Sequence, residues 1–408
     1  MNCGLLGRKL GHSYSPQIHA FLGDYRYSLF EKEPEELENF LKNGDFTGLN
    51  VTIPYKKDVI PYLDELSPAA GKLGAVNTIV RRPDGTLFGH NTDYFGFASL
   101  LKRSGIPVSG KKALVLGSGG ASNTVQAVLK EQGAEVVVIS RSGEDNYDNL
   151  SRHADASVIV NTTPLGMYPN TGVSPVDLGG FPNLQGVLDV VYNPARTQLL
   201  LDAENRWLPN ANGLWMLVAQ AKESAEYFTG HSIDDAVIAA IYAKLSVQMQ
   251  NLVLVGMPGC GKSTVGASLA GKLGRVLVDT DEEIVRQAGK SIPEIFAQDG
   301  EETFRSWETK VLAELGKQSG LVIATGGGCV TRQRNYPLLH QNGTIFWLRR
   351  DIDKLPTDGR PLSQSHSLTE MYIKRAPMYA AFADYTVSND GTAEETVNAI
   401  LSRLEETL

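Results

Sequence analysis

Leu252-Val253-Leu254-Val255-Gly256-Met257-Pro258-Gly259-Cys260-Gly261-Lys262-Ser263 is the stretch that decides the fold of the C-terminal part of this chain. Four apolar residues in a row, bounded by glycine, read as a buried strand. Residues 256–263 fit Gly-x-x-x-x-Gly-Lys-Ser, and a helical pattern follows from about Lys262. Strand, glycine loop and helix in that order are the setting of a phosphate-binding P-loop. Its backbone N–H groups cradle phosphates, Lys262 reaches the β/γ oxygens and Ser263 holds Mg²⁺. The expected nucleotide contacts are Gly256, Gly259, Cys260, Gly261, Lys262, Ser263 and Thr264. Such a loop says nucleoside triphosphate, not which reaction.

Upstream, Ala113-Leu114-Val115-Leu116 is another buried-strand run, followed by Gly117 and a helical stretch to about Gln132, with a further strand at Val136–Ile139. Residues 117–122 read Gly-Ser-Gly-Gly-Ala-Ser. In this setting glycines let the backbone approach a pyrophosphate at a helix N-terminus. The last glycine of the usual fingerprint is absent, and a plain turn is the competing reading. Ser140-Arg141-Ser142 ends the next strand. An acidic residue there takes a ribose 2′-hydroxyl, whereas an arginine with flanking hydroxyls suits a 2′-phosphate. That favours NADP over NAD, the alternative being a solvated surface arginine. Strands alternating with helices around both loops argue an α/β protein.

At about 150 residues per domain, 408 residues predict between two and three domains. With 42% apolar and 21% charged residues, disorder is excluded. Lysine and arginine total 38 against 46 acidic residues, a net charge of −8, which disfavours a nucleic-acid or anionic-membrane partner. No apolar run approaches a membrane span. Met1-Asn2-Cys3-Gly4 has no basic region leading into an apolar segment, so no signal peptide is expected. Three cysteines without metal-ligand spacing fit a reducing cytoplasm.

Before the first glycine loop lie Gly11-His12-Ser13-Tyr14-Ser15-Pro16, Asn50-Val51-Thr52-Ile53-Pro54-Tyr55-Lys56, Gly74-Ala75-Val76-Asn77-Thr78 and Gly89-His90-Asn91-Thr92-Asp93. Each alone is compatible with turn chemistry. After the loop come Asn161-Thr162-Thr163-Pro164-Leu165-Gly166-Met167, Asp189-Val190-Val191-Tyr192-Asn193-Pro194 and Gly213-Leu214-Trp215-Met216-Leu217 with Gln220. In this order they resemble the shikimate dehydrogenase family, over Cys3 to about Ile241. The resemblance implies NADPH-dependent reduction of 3-dehydroshikimate to shikimate. It implies that Ser13 and Ser15 bind the substrate carboxylate and that Thr52, Asn77, Asp93 and Gln220 hold ring hydroxyls, with Tyr192 also at the substrate. Lys56 would sit beside the reacting oxygen, with Asp93 as the carboxylate that orients it and helps relay the proton. Gly117, Gly119, Gly120, Ala121, Ser140, Arg141, Ser142, Thr162, Met167, Val190 and Gly213 would contact NADP(H). The family often has Asn-Arg-Thr where this chain has Ser140-Arg141-Ser142, so the arginine is kept in a weaker pattern. Quinate dehydrogenases share the fold and the Lys/Asp pair; the two serines look more like shikimate-specific members.

Behind the P-loop, Asp279-Thr280-Asp281 ends a strand, with two carboxylates expected on one side; N-capping is the competing reading. Then follow Gly300-Glu301-Glu302-Thr303-Phe304-Arg305 with Glu308, Ala324-Thr325-Gly326-Gly327-Gly328, Gly359-Arg360-Pro361-Leu362 and Arg375-Ala376-Pro377-Met378-Tyr379. As a set after a P-loop they resemble the shikimate kinase family, over about Gln250–Leu408. The resemblance implies transfer of phosphate from MgATP to the shikimate 3-hydroxyl. Asp281 would be base or orienter of that hydroxyl, and Asp279 would sit near Mg²⁺ with Ser263. Arg305 and Arg375 would hold the substrate carboxylate, and Gly327 would let the ring approach. Arg360 would come from a lid and neutralise the transferring phosphoryl. The lid segment Asp351–Gly359 looks short, and no basic residue near the adenine is evident around Ser388-Asn389-Asp390.

The expected organisation is an α/β substrate domain (1–93, completed by 213–246), a Rossmann NADP-binding domain (94–212), a short linker (247–250) and a P-loop kinase domain with a parallel sheet (251–408). Its partners would be small molecules, 3-dehydroshikimate and shikimate, the chain being a monomer or homodimer in the cytoplasm. The alternatives are quinate oxidation in the N-terminal half, or a ligand-sensing regulator built from inactive enzyme domains.

Overall fold

The computed structural model describes residues 1–11, 13–355 and 368–406. The chain divides into two compact units, one of Met1–Met167, Val173–Tyr192 and Leu199–Tyr242, the other of Tyr168–Gly172, Asn193–Gln198 and Ala243–Leu408. The chain passes from the first to the second inside the helix Ala236–Met249. Only Gln250 then precedes the next strand, so 247–249, expected in a linker, are helical. The carbonyls that this helix end leaves without intrahelical partners are met by Arg275, which donates to Val247 O and, at 2.8 Å, to Gln250 O.

Among the described residues the first unit holds two sheets. One is formed by β1 (Asn2–Gly7), β2 (Arg26–Glu31), β3 (Gly48–Val51), β4 (Glu65–Leu66), β5 (Thr78–Arg81) and β6 (Leu87–His90), in the order β2-β1-β3-β5-β6-β4. β1 runs parallel to β2 and β3, whereas β5 is antiparallel to β3 and β6. Leu6, Leu49, Val51 and Ile79 pack with Leu37, Leu41 and Tyr55 as its core.

The other sheet is parallel, with β7 (Lys112–Leu116), β8 (Glu135–Ile139), β9 (Val158–Asn161), β10 (Gly186–Asp189) and β11 (Asn210–Ala211) in the order β11-β10-β9-β7-β8. Its strands are apolar without alternation because both faces are covered. Ala113, Val115, Val158 and Val160 enter one core, and Leu114, Leu116 and Ile159 the other. Residues one apart therefore serve opposite layers, as the pleat requires. The helix Leu214–Thr229 comes back from this sheet to pack on β3, β5 and the helix Asp93–Ser104.

The second unit is built on β12 (Asn251–Val255), β13 (Leu277–Asp279), β14 (Val322–Ala324), β15 (Gly343–Arg349) and β16 (Tyr385–Ser388), all parallel, in the order β13-β14-β12-β15-β16. The apolar run 252–255 is the fully buried central strand. The glycine loop follows at its C-terminal end, where open α/β sheets bind ligands. Among the described residues no helix is long and apolar enough to cross a membrane.

Candidate functional site

In the first unit, the fully buried Tyr55 donates its hydroxyl to Lys32 O at 2.5 Å and pins the turn after β3. That places the next residue, Lys56, with Nζ donating to Asp93 Oδ2 at 2.5 Å. Their side chains are 20% and 10% exposed, so the pair is mostly shielded yet reachable. Asp93 opens the helix Asp93–Ser104, where the free N–H groups and the dipole favour a carboxylate.

Asn77, 2% exposed, donates from Nδ2 to Thr92 Oγ1 at 3.0 Å and reaches Gln220 Oε1 at 3.5 Å. Its Oδ1 accepts from Thr92 N at 2.7 Å. Ser15 N donates to Ser13 Oγ at 3.2 Å, which sets the two serines side by side, and the Tyr14 and Tyr192 rings meet edge to face. Thr52 is half-buried just before the turn that carries Lys56.

The glycine loop lies against this cluster. A Cβ at Gly120, the first residue of the helix Gly120–Glu131, would stand 3.9 Å from Lys56 Cδ. A Cβ at Gly119 would meet nothing within 4 Å, no acidic side chain occupies the first helical turn, and Gly119 gives no side-chain cap. This is a cradle for an anion, as a pyrophosphate needs. Gly117 (φ +106°) must be glycine, since a Cβ would meet Thr162 Oγ1 at 2.9 Å. Thr162 is itself held by donating to Leu116 O at 2.6 Å. At the ends of β9 and β10, Asn161 Nδ2 donates to Asp189 Oδ1 at 3.0 Å and ties together the loops carrying Met167 and Val190. Gly213 N donates to Val191 O at 3.0 Å. Arg141 and Ser142 are exposed in the turn after β8, with Ser140 half-buried before them. Ala121 follows Gly120 in the first helical turn.

In the second unit, one cavity of about 690 Å³ is lined by Gly259, Gly261, Lys262, Ser263, Thr264, Asp279, Asp281, Arg305, Gly327 and Arg375. Residues spread over more than a hundred positions thus share one space. Gly256 and Cys260 sit behind it: Lys262 Nζ donates to Gly256 O at 2.9 Å and to Met257 O at 3.0 Å, and Cys260 is fully buried. Ser263 Oγ donates to Asp279 Oδ2 at 2.7 Å. These two oxygen ligands fit Mg²⁺, which takes few protein ligands and keeps the rest for water and phosphate.

The two carboxylates expected on one side of a strand are not so placed. β13 stops at Asp279 and Asp281 belongs to the first turn of the helix Thr280–Ala288, so the two carboxylates do not share a strand face. Asp279 is the N-cap, with Oδ1 accepting from Asp281 N at 3.0 Å. Its two oxygens do both jobs, capping the helix and pairing with Ser263. Arg360 lies outside the described residues.

Arg305, 5% exposed, donates from Nη1 to both oxygens of the fully buried Glu308 at 3.0–3.1 Å. Burial pushes the Glu308 carboxyl up to about 7, against the pull of Arg305. Arg375 Nη1 and the Tyr379 hydroxyl both donate to Gly327 O, at 3.1 and 2.5 Å. A Cβ at Gly326 would meet Asp281 Oδ1 at 2.7 Å, and one at Gly328 would meet Arg305 Nη1 at 2.1 Å. The glycine triplet is therefore the wall against which the acidic and basic side chains press.

Residues 5–79 match the family model described as the shikimate dehydrogenase substrate binding domain, and residues 258–405 the one described as shikimate kinase. A shikimate dehydrogenase (NADP(+)) of Clostridium beijerinckii is 36% identical over 261 residues, 59% of this chain and 96% of that relative. The chain belongs to the shikimate dehydrogenase family. To that family's portion it joins a shikimate kinase domain. The crystal structure of shikimate 5-dehydrogenase from Thermus thermophilus, in complex with NADP(H) and shikimate, matches at 33% identity and TM-score 0.55, covering 60% of this chain and 99% of that one. Quinate dehydrogenase from Corynebacterium glutamicum, in complex with NAD, matches at 28% identity and TM-score 0.54, covering 60% and 99%.

Within the dehydrogenase portion, reading by motif passed over a buried hydroxyl network. Asn50 Nδ2 donates to Ser224 Oγ at 2.8 Å, and Ser224 Oγ also meets Thr78 and Thr92 Oγ1 at 3.0 Å. Asn50, Thr78 and Thr92 belong to the motifs at 50–56, 74–78 and 89–93. Ser224 was legible only as the residue one helical turn past Gln220, on the same face. Glu223 was also missed. Burial, with Glu226 and Asp93 nearby, pushes its carboxyl up to about 8, although Lys222 pulls it down.

Proposed function

We propose that this chain is a bifunctional shikimate-pathway enzyme in which the first unit reduces 3-dehydroshikimate with NADPH and the second phosphorylates the shikimate formed. The observation that carries the first activity is the Lys56–Asp93 pair beside the glycine cradle at Gly120. The bound dinucleotide supplies the hydride and MgATP the phosphoryl group. Lys56 Nζ gives its proton to the oxygen of the reduced ketone, and Asp93, at 2.5 Å, orients the ammonium and helps to restore the proton. Ser13 and Ser15 hold the substrate carboxylate. Thr52, Asn77, Asp93 and Gln220 hold the ring hydroxyls, with Tyr192 closing the site. Arg141 takes the 2′-phosphate, with Ser140 and Ser142 beside it, and the loops bearing Thr162, Met167, Val190 and Gly213 flank the cofactor.

In the second unit, Asp281 orients the attacking hydroxyl, Arg305 and Arg375 hold the carboxylate, and Lys262 with Arg360 offsets charge on the phosphates. Ser263 and Asp279 would hold Mg²⁺. This division of labour assigns the β1–β6 sheet to the substrate, the β7–β11 sheet to the dinucleotide and the β12–β16 sheet to the kinase. The three buried, unpaired cysteines support a reducing cytoplasm. The chain would act there as a monomer or homodimer.

Purified protein given 3-dehydroshikimate, NADPH and MgATP should oxidise NADPH and form shikimate 3-phosphate. Absence of both activities in folded protein would overturn the reading in favour of a ligand-sensing role. The quinate dehydrogenase neighbour motivates a second reading for the first unit. Rates with shikimate and NADP against quinate and NAD, side by side, decide between them.

A further inference from the structure

We propose that Asn389 is a positioning residue for the nucleotide phosphates, acting through the Cys260–Gly261 peptide of the glycine loop. Asn389 follows β16, 129 positions from Cys260, and is 5% exposed. Its Nδ2 donates to Cys260 O at 2.5 Å, and its Oδ1 accepts from Thr396 Oγ1 at 2.6 Å. The amide orientation follows from chemistry. Cys260 O can only accept, so the NH₂ group faces it and Oδ1 is left for the hydroxyl. Thr396 is 2% exposed within the helix Ala393–Glu405, whose start is fixed by a capping box from Thr392 and Glu395. The Asn389 backbone is tied too, its N donating to Arg349 O at 2.7 Å.

In a planar trans peptide the C=O and the N–H point in opposite directions. Holding the Cys260 carbonyl from the Asn389 side therefore aims the Gly261 N–H away from Asn389. A Cβ at Gly261 would meet Asn389 Nδ2 at 2.7 Å, so the amide presses on the loop itself. Gly261, Lys262 and Ser263 line one cavity, in which Lys262 is assigned above to the phosphates and Ser263 to Mg²⁺. An unsupported peptide is free to rotate, which would turn a carbonyl toward the phosphates in place of a donor. Asn389 touches no reacting atom; it makes one orientation of the cradle the resting one, so nucleotide binding need not select it.

The inference rests on the kinase reading, so the wild-type full chain is assayed first for shikimate-dependent ADP formation; no activity there refutes that reading, not this one. Asn389→Ala should raise the KM for MgATP about tenfold, the scale of one lost bond to a buried carbonyl, and weaken ADP binding by calorimetry in parallel. The kcat at saturating MgATP, the KM for shikimate and NADPH oxidation by the first unit should stay within about twofold. Asn389→Asp keeps the acceptor for Thr396 but sets a carboxylate against the Cys260 carbonyl, and should do at least as much. Thr396→Val frees the amide without touching the loop and should raise the MgATP KM about threefold; it carries the test should neither Asn389 variant fold. Wild-type KM for MgATP and wild-type ADP affinity in a folded variant overturn the proposal. A fall in kcat alone, with KM unchanged, also overturns it, since that marks a merely structural role.

Discussion

Gly328→Ala tests whether the glycine triplet positions Arg305. The new Cβ would lie 2.1 Å from Arg305 Nη1, 2.3 Å from Nη2 and 2.4 Å from Cζ. Ordinary contact begins near 3.4 Å, so the guanidinium must retreat by more than 1 Å. An exposed arginine would swing aside at little expense, but this one is 5% exposed and bonded at 3.0–3.1 Å to Glu308, which is fully buried. Retreat stretches that bond beyond reach and leaves a buried carboxylate short of donors. A bond to a charged group is worth about 1.5–3 kcal/mol. Spent on substrate affinity, that corresponds to roughly a 10- to 100-fold rise in the KM for shikimate. The assay is shikimate-dependent ADP formation at saturating MgATP, with NADPH oxidation by the same preparation as an internal control for folding of the first unit. A KM for shikimate within twofold of wild type, in a variant that still binds ADP, would refute the argument that the triplet is small because Arg305 presses on it.

Other perturbations separate the remaining roles. Lys56→Ala should cut NADPH-linked activity by about 10²–10⁴-fold and spare phosphorylation. Lys262→Ala should do the reverse, and loss of both activities from either change would show that the two sites are not independent. Glu223→Gln should stabilise the protein by about 1–3 kcal/mol near pH 8.5 and by much less near pH 5. The sign follows from a folded-state carboxyl raised to about 8 from 4.5: the native state keeps a proton that the unfolded chain gives up, so stability is lost as pH rises through that window. Equal pH dependence of the urea midpoint in both proteins would contradict it. Cys329 is fully buried and its thiol is pushed up to about 12, so iodoacetamide at pH 8 should leave it unmodified by mass spectrometry until the chain is denatured.

The elements that could be read along the chain are those whose cause is local. The glycine loop at 256–263 announces itself because the residue types it needs are contiguous, and its flanking strand and helix confirm it within a dozen positions. The unbroken apolar runs at 113–116 and 252–255 signal parallel strands covered on both faces, which is how they are found. Asp279 and Asp281 show where local reading stops. Their spacing of two implied a shared strand face, but the strand ends between them and the first aspartate caps the helix that holds the second. A spacing tells which side chains are neighbours only once the backbone conformation is known.

The amino-acid sequence by itself determined the fold class and both family resemblances, and it pointed to the side chains proposed to do the chemistry, since these depend on residue identity at short spacing. Tertiary structure alone decided what holds those side chains. Glu308 under Arg305 is three residues away and visible as a helical pair, yet its complete burial is not. Ser224 meets Asn50 across 174 positions, and Asn389 meets Cys260 across 129. Such partners carry no spacing to recognise. They meet because burying the sheets brings distant polar groups together, and a polar group removed from water must find a partner wherever the chain supplies one.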